Sequence, residues 1–419
     1  MKLKKQSEKI VYNSDASMIP GSAQDVIFPA SIQEIINLVR TKTNLVPRGG
    51  GTGLAGGAVP LESTILDLSK MDKISNLNLE DKTIDVEPGV ILENLNLELA
   101  NYNLEFPINP SSGKSCTIGG MIACNAVGKH AVKHGKTSDW IKEVEMINGN
   151  GEKITLGRLN LSDVAGLEGI TGVIVKAKLK LLEKKERSAN LLKVKEIEKL
   201  PEIIRRLKLN DDICGIEMID KLTANLLGFG QDHHLIVEYE SDHGKFKGKE
   251  YEKIAKMRDN IYPMLASEGY SHIEDPKVMI FKIPDLIQFL EMKKIPFFGH
   301  VAEGVLHPCF KEKGFAQVED TLAFIKKLQG SVSGEHGIGL AKKRFLDIND
   351  KKIILNAKKR YDPEFKMNPG KVIDKDDESK LTEKIIEESK EESEQVNEDN
   401  FDEIIEEIKQ ADIENEHRD

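Results

Sequence analysis

The sequence predicts an α+β protein of two domains with an acidic C-terminal extension. Three observations carry this reading. The chain has 419 residues and 39% hydrophobic content, enough for two sizeable buried cores. Up to about residue 182, glycine-rich turns punctuate short strands; beyond it a Lys- and Glu-rich stretch leads into alternating strands and helices. Residues 374–419 hold 20 acidic and 6 basic side chains, a net of −14 against −10 for the whole chain. The first 373 residues are therefore close to neutral, which excludes a basic nucleic-acid-binding domain and a wholly disordered acidic protein.

Four cysteines, Cys116, Cys124, Cys214 and Cys309, stand far apart with no Cys-x-x-Cys. That pattern excludes an iron–sulfur or structural zinc module and a disulfide scaffold, and fits a reducing compartment. No apolar run approaches the ~20 residues that span a bilayer. The basic start, Met1 to Lys5, is followed by polar residues rather than the apolar core of a signal peptide. The expected location is the cytoplasm, with peripheral attachment at the inner face of the membrane left open.

In chain order, Ile32, Ile35, Ile36 and Val39 have helical spacing and lead into a strand over Asn44 to Pro47. A glycine-rich element follows over residues 47–58. Strands are expected at Thr64 to Leu68 and Thr83 to Val86, then a helix from Val90 to Tyr102. A second small-residue, turn-rich region covers 107–128. Trp140 to Asn148 reads as a strand closed by the hairpin signal Asn148-Gly149-Asn150-Gly151. A third glycine element, Leu167 to Gly172, runs into a strand from Val173 to Leu181. Residues 183–209 have helical spacing. Cys214 to Met218 and Leu235 to Tyr239 read as strands around a helix, Lys221 to Leu227, and one long helix is expected from Lys247 to Ala266. Residues 381–388 and 401–408 of the acidic segment are weakly amphipathic.

The glycines of Gly49-Gly50-Gly51-Thr52-Gly53, with Gly56 and Gly57, are costly, because each adds unfolded-state freedom and removes packing area. Such density suits a backbone that must approach a ligand and offer successive N–H groups to phosphate oxygens. A surface turn would need one or two. The segment lacks the Lys-Ser/Thr of a Walker loop and the Gly-x-Gly-x-x-Gly spacing of a Rossmann turn.

Arg48 to Pro60 (RGGGTGLAGGAVP) resembles the pyrophosphate loop of the FAD-binding proteins related to the FAD-linked component of glycolate oxidase and to D-lactate dehydrogenase, in the vanillyl-alcohol oxidase superfamily. The resemblance continues in order through Asp15-Ala16-Ser17, then Pro110-Ser111-Ser112 with Cys116-Thr117-Ile118-Gly119-Gly120 and Asn125-Ala126. It goes on through Glu168-Gly169-Ile170-Thr171-Gly172-Val173-Ile174, Gly299-His300, Leu306-His307-Pro308 and Ser333-Gly334-Glu335-His336-Gly337. It ends at Asp362-Pro363 and Asn368-Pro369-Gly370-Lys371. It covers roughly residues 15–373.

That likeness implies a vanillyl-alcohol oxidase-type FAD-binding domain (1–182) split around an α+β substrate or cap domain (183–330). Residues 331–373 would complete the flavin domain, and 374–419 would be a flexible acidic tail. It implies FAD held by Arg48, Gly49, Gly50, Gly51, Thr52, Gly53 and Gly57; by Pro110, Ser111, Ser112, Thr117, Gly119, Gly120 and Asn125; by Glu168, Gly169, Gly172 and Ile174; and by Asn368. Lys133 to Thr137 departs from the family's Tyr-Gly-x-Thr-Arg, and His130 and His134 nearby read as core or surface residues.

The likeness also implies a divalent metal, Zn or Mn, on His300, His307 and Glu335. Imidazole plus carboxylate suits either ion and Fe²⁺ as well, and a hairpin over residues 297–307 can bring the two histidines together. The centre of that hairpin departs from the family: Ala302-Glu303-Gly304-Val305 replaces Gly-Asp-Gly-Asn. His336 is implied as general base and Arg258 as the cation for a substrate carboxylate, although Ala255 stands where the family has Trp.

The implied activity is FAD-dependent oxidation of a D-2-hydroxy acid such as D-lactate, glycolate or 2-hydroxyglutarate. Electrons would leave to a separate acceptor: a quinone, an electron-transfer protein or an iron–sulfur subunit. No nucleic-acid partner is expected, and a homodimer is left open. The competing readings are an alkylglycerone-phosphate synthase-like enzyme and a non-catalytic FAD-binding subunit.

Overall fold

The computed structural model describes residues 1–3, 5–311, 314–379 and 381. Its first part contains two sheets. A parallel sheet runs in the order Ser22–Ile27, Leu61–Asp67, Leu45–Arg48. The helix Ile32–Thr41, capped by the Ser31 hydroxyl accepting from Glu34 N, buries Ile35 and Val39 against Leu45 and Leu66. The strand Leu45–Arg48 delivers the chain directly into Gly49. An antiparallel sheet follows in the order Ile74–Asn78, Thr83–Val86, Gly172–Lys180, Ile141–Asn148, Lys153–Gly157. Helices Leu92–Ala100 and Ile118–Cys124 cover it with Leu95, Leu99, Met121 and Ile122, packed on Val144, Met146 and Leu179.

The second part is built on seven strands in the order Phe246–Lys247, Ser188–Val194, His233–Tyr239, Ile213–Ile219, Phe297–Gly299, His307–Phe310, His272–Ile273. The adjacent pairings are antiparallel throughout. Helices Leu200–Leu207 and Ile283–Met292 share one aliphatic core with it, through Ile204, Leu286 and Leu290 against Met218, Leu235 and Phe297. Ile261 and Leu265 belong to a second core with Ile219, Ile236 and Phe298.

Two local expectations fail for physical reasons. Residues 188–194 form a strand rather than a helix: Ser188, Ala189 and Val194 are buried, and the strand registers on His233–Tyr239. The long helix breaks at Asn260 into Lys249–Asp259 and Ile261–Ser267. Pro263, with no N–H to donate one turn back, stands three residues beyond the break.

After residue 330 the chain returns to the first part. Leu340 N donates to Ala55 O at 2.8 Å and Asn368 N to Leu45 O at 2.6 Å. The helix Ile348–Tyr361 places buried Lys358 against Ile170 O (2.8 Å), Asp362 Oδ2 (2.6 Å) and Met367 O (2.6 Å). Breaking a buried pair of this kind costs about 3–5 kcal/mol, so Lys358 and Asp362 fasten the return segment.

The two parts are also joined by polar side-chain pairs. His130 Nε2 lies 3.4 Å from Glu238 and His134 Nε2 2.6 Å from Glu240, while Arg187 bridges Glu105 and Glu240. His130 and His134 thus act in the junction.

The first residues of the acidic segment also meet the body, since Asp374 pairs with Lys343, and Asp377 with Lys351 at 3.1 Å. The two amphipathic stretches predicted at 381–388 and 401–408 lie, Leu381 apart, outside the described residues. The expected location, the cytoplasm with peripheral attachment at the inner face of a membrane left open, is corrected. No helix among the described residues is long and apolar enough to cross a membrane, and the longest, Ile348–Tyr361, has 14 residues and carries four lysines and one arginine.

Candidate active site

One cavity of about 670 Å³ joins the glycine loops to the histidine cluster. Its wall includes Gly49 to Gly53 and Gly57, then Pro110, Ser111, Ser112, Thr117 and Gly120, and Glu168. Arg258, His300, His307, Glu335 and His336 complete it. Residues from both parts of the fold and from the return segment therefore face one volume.

The first loop is pressed against the segment behind it. A Cβ at Gly50 would lie 2.1 Å from the Ser115 carbonyl oxygen, so no side chain fits there. Among the described residues, the backbone N–H groups of Gly49, Gly50, Gly51, Thr52 and Gly53 donate to no other protein group. An uninterrupted row of unpaired donors along a cavity wall fits an anionic chain such as a pyrophosphate.

The other residues expected to touch a cofactor stand behind the wall. Arg48 is buried under the Tyr12 ring and donates to Ala58 O at 3.2 Å. Asn368 Nδ2 donates to Gly57 O (2.8 Å) and Glu168 O (2.7 Å), tying two glycine elements together. Asn125 accepts from Ser138 N at 3.0 Å. Gly119 packs on Pro88, Gly169 on Pro47 and Gly172 on the Ile147–Asn148 backbone, and Ile174 lies in the core. In this structure these residues shape the loops and do not line the cavity.

Glu168 does line it, and accepts from Ile338 N (2.6 Å) and Gly339 N (3.1 Å). Burial raises its carboxyl to about 7, against the opposing pull of those hydrogen bonds. Because the folded-state value lies above the unfolded one, the folded state favours the protonated acid. Stability from this group is complete below about pH 4.5 and falls as pH rises toward about 7. Glu168→Gln should remove that fall, worth of order 2–4 kcal/mol between the two limits. Urea unfolding of the flavin-free protein on either side of that window, at about pH 4.5 and about pH 7.5, measures it. Equal pH dependence in parent and variant would refute the assignment.

At the other end of the cavity, candidate ligand atoms of His300, His307 and Glu335 all lie within 4.8 Å of one another. His307 Nε2 is 3.1 Å from Glu335 Oε1, and His300 Nε2 is 3.6 Å from Glu335 Oε2. Glu335 Oε2 is buried with no hydrogen-bond partner among the described residues. Burial alone would raise this carboxyl, yet His300 and His307 hold it well below the usual range. An ionised carboxylate flanked by two imidazoles, with one oxygen unsatisfied, fits a divalent cation. The altered centre of the hairpin leaves these three in place: Glu303 turns to Lys208 at 3.2 Å, and Val305 packs beside Gly334.

His336 stacks on His307 with ring centroids 5.1 Å apart. Its Nε2 lies 3.4 Å from Glu335 Oε1, and its Nδ1 lies 3.6 Å from Asp275 Oδ1. Burial would lower this imidazole, but the Asp275 and Glu335 carboxylates together outweigh it and raise the group.

Two contributors escape sequence reading, and a third has unforeseen partners. Glu217 is buried 2.9 Å from His300 Nδ1 and 3.2 Å from Arg258 Nη2. Burial would raise it; Arg258 and His300 hold it at about 2. It orients His300 so that Nε2 faces Glu335. Asp275, fully buried, accepts from Gly334 N (2.9 Å), Glu335 N (2.6 Å), His336 N (2.7 Å) and the Ser333 hydroxyl (3.0 Å). It therefore holds the whole Glu335–His336 loop, and Lys342 neutralises it. Arg258 itself is committed to Glu217, Ser111 (2.7 Å) and Asp259 (3.4 Å).

A glycine cradle for an anionic cofactor, opening on an imidazole–carboxylate cluster with a further imidazole beside it, defines a cofactor-dependent enzyme site. Comparison narrows the class. A family model described as "FAD binding domain" matches residues 23–157, and one described as "FAD linked oxidases, C-terminal domain" matches residues 246–372. The glycolate oxidase subunit GlcD of Bacillus subtilis (strain 168) is 28% identical over 440 residues, 88% of this chain and 93% of that protein. D-2-hydroxyglutarate dehydrogenase of Stutzerimonas stutzeri (strain A1501) is 24% identical, over 83% of this chain and 90% of its own length. Among solved structures, an alkyldihydroxyacetonephosphate synthase superposes with a TM-score of 0.66 at 15% identity, covering 88% of this chain and 82% of that one. At that identity the likeness concerns the fold. The chain belongs to the FAD-linked oxidases of the GlcD and D-2-hydroxyglutarate dehydrogenase type, within the vanillyl-alcohol oxidase-like superfamily.

Proposed function

We propose that this enzyme oxidises a D-2-hydroxy acid to the 2-oxo acid. The observation that carries the reading is the single cavity in which the cofactor cradle meets the His300–His307–Glu335 cluster and His336. In this reading residues 183–330 form a substrate domain over a flavin domain made of residues 1–182 and 331–373.

Residues 49–53 would hold FAD, which would supply the hydride acceptor, and His300, His307 and Glu335 would hold a divalent metal, which would supply polarisation of the substrate hydroxyl. His336 Nε2 takes the hydroxyl proton, and Asp275 stabilises the resulting imidazolium from the Nδ1 side. Glu217 keeps His300 turned to the cluster. The Arg258 guanidinium, at the cavity wall, steers the substrate carboxylate. Phe298 and Ile273 restrict water at this end.

The four cysteines are unpaired and include no Cys-x-x-Cys, so a separate acceptor takes the electrons. The purified protein should be yellow and release FAD rather than FMN. Gly50→Val should lower flavin content at least about tenfold while leaving circular dichroism intact, because its side chain meets the Ser115 backbone. A folded protein that stays colourless after incubation with FAD contradicts the reading.

A further inference from the structure

We infer that the substrate is a 2-hydroxy monocarboxylate with an apolar side chain, and that dicarboxylates are rejected; this rests on the 2-hydroxy acid reading above and refines it. Two observations meet at the histidine end of the cavity. The first is its wall. Leu54, Tyr262, Ile273 and Phe298 line the cavity and belong to one apolar cluster, with Pro263 beside them. The Phe298 ring lies 5.1 Å from that of His307, so this wall adjoins the atoms that would hold the reacting carbon. The Tyr262 hydroxyl donates to Ser271 O at 2.7 Å, which leaves it no role as a donor to a substrate anion.

The second observation is the balance of charge. Among the described residues, Arg258 and Lys129 are the only lysine or arginine side chains on the cavity wall. Arg258 is flanked by Glu217 and Asp259, and it can serve the C1 carboxylate once. Lys129 stands in the 126–129 loop with its carbonyl against Gly215, at the other end of the strand Ile213–Ile219 from Ile219, the residue that pairs with Phe298. A second carboxylate extending from C2 along the wall of Leu54, Tyr262, Ile273 and Phe298 would meet apolar side chains or Asp259 and find no cation there. An aliphatic or aryl group would gain about three- to fourfold in binding per methylene buried.

The test is steady-state kcat/KM of the FAD-loaded enzyme with an artificial acceptor, for D-2-hydroxyisocaproate, D-lactate and D-2-hydroxyglutarate. The expected order is hydroxyisocaproate above lactate by about thirty- to sixtyfold for three further buried carbons, with hydroxyglutarate at least about a hundredfold below the first, because an unpaired buried carboxylate is strongly disfavoured. Ile273→Ala should narrow the ratio of hydroxyisocaproate to lactate. The wild-type comparison decides the matter even if that variant does not fold. Hydroxyglutarate equal to or better than hydroxyisocaproate overturns this inference alone. Failure of all three to be oxidised overturns the 2-hydroxy acid reading, and this inference with it.

Discussion

His336→Ala is expected to keep its FAD and to lose about 10²- to 10⁴-fold in the rate of substrate-driven flavin reduction, the usual contribution of a positioned proton acceptor. The flavin should stay because the N–H row of Gly49 to Gly53 comes from a different loop from His336. The loop itself should stay because Asp275 holds it through backbone N–H groups, including that of residue 336, which the substitution leaves in place. Anaerobic stopped-flow reduction measures the loss. A variant reduced as fast as the parent shows that another group takes the proton.

Glu335→Ala should act differently. It removes the carboxylate that joins His300 and His307, leaving two imidazoles 5.7 Å apart between ring centroids and no anionic ligand. Metal affinity should collapse, and turnover should fall about 10²-fold or more, since polarisation of a substrate oxygen is worth several kcal/mol. Chelation of the parent enzyme should reproduce this loss with the flavin spectrum unchanged, and Zn²⁺ or Mn²⁺ should restore it. Glu217→Gln should weaken metal binding by a smaller factor, about 10- to 100-fold, because it leaves the three ligands in place and disturbs the orientation of His300, besides weakening the hold on Arg258. Metal content by elemental analysis, read beside turnover, separates these effects. Activity unaffected by complete metal removal would make the three residues structural.

Much of this site is legible because its parts are short motifs whose residue types state their chemistry. The glycine run at 49–53 reads as a backbone cradle, and the histidines at 300 and 307 converge because a hairpin of one strand, a left-handed Gly304 and a return strand folds them together. What stays hidden depends on partners distant in sequence. Glu217 sits in the strand Ile-Cys-Gly-Ile-Glu-Met-Ile, and a lone carboxylate in a fully buried strand is the one available signal that it faces a cation. Nothing local to Asp275 announces that it gathers the backbone of residues 334–336 from far along the chain. The same limit explains Arg48 and Asn368: the sequence places them in the cofactor motifs, but only the fold reveals that their side chains bind neighbouring loops. The strand at 188–194 eludes the sequence for a related reason, since its Lys- and Glu-rich surroundings mask a register imposed by His233–Tyr239.

The measurement that bears most directly on the central claim is anaerobic reduction of the enzyme-bound flavin by a panel of D- and L-2-hydroxy acids. The account predicts loss of the oxidised-flavin absorbance with at least one D-2-hydroxy acid, stoichiometric formation of the 2-oxo acid, and dependence of that rate on His336. A flavin that remains oxidised with every member of the panel, in protein containing both FAD and metal, would contradict it.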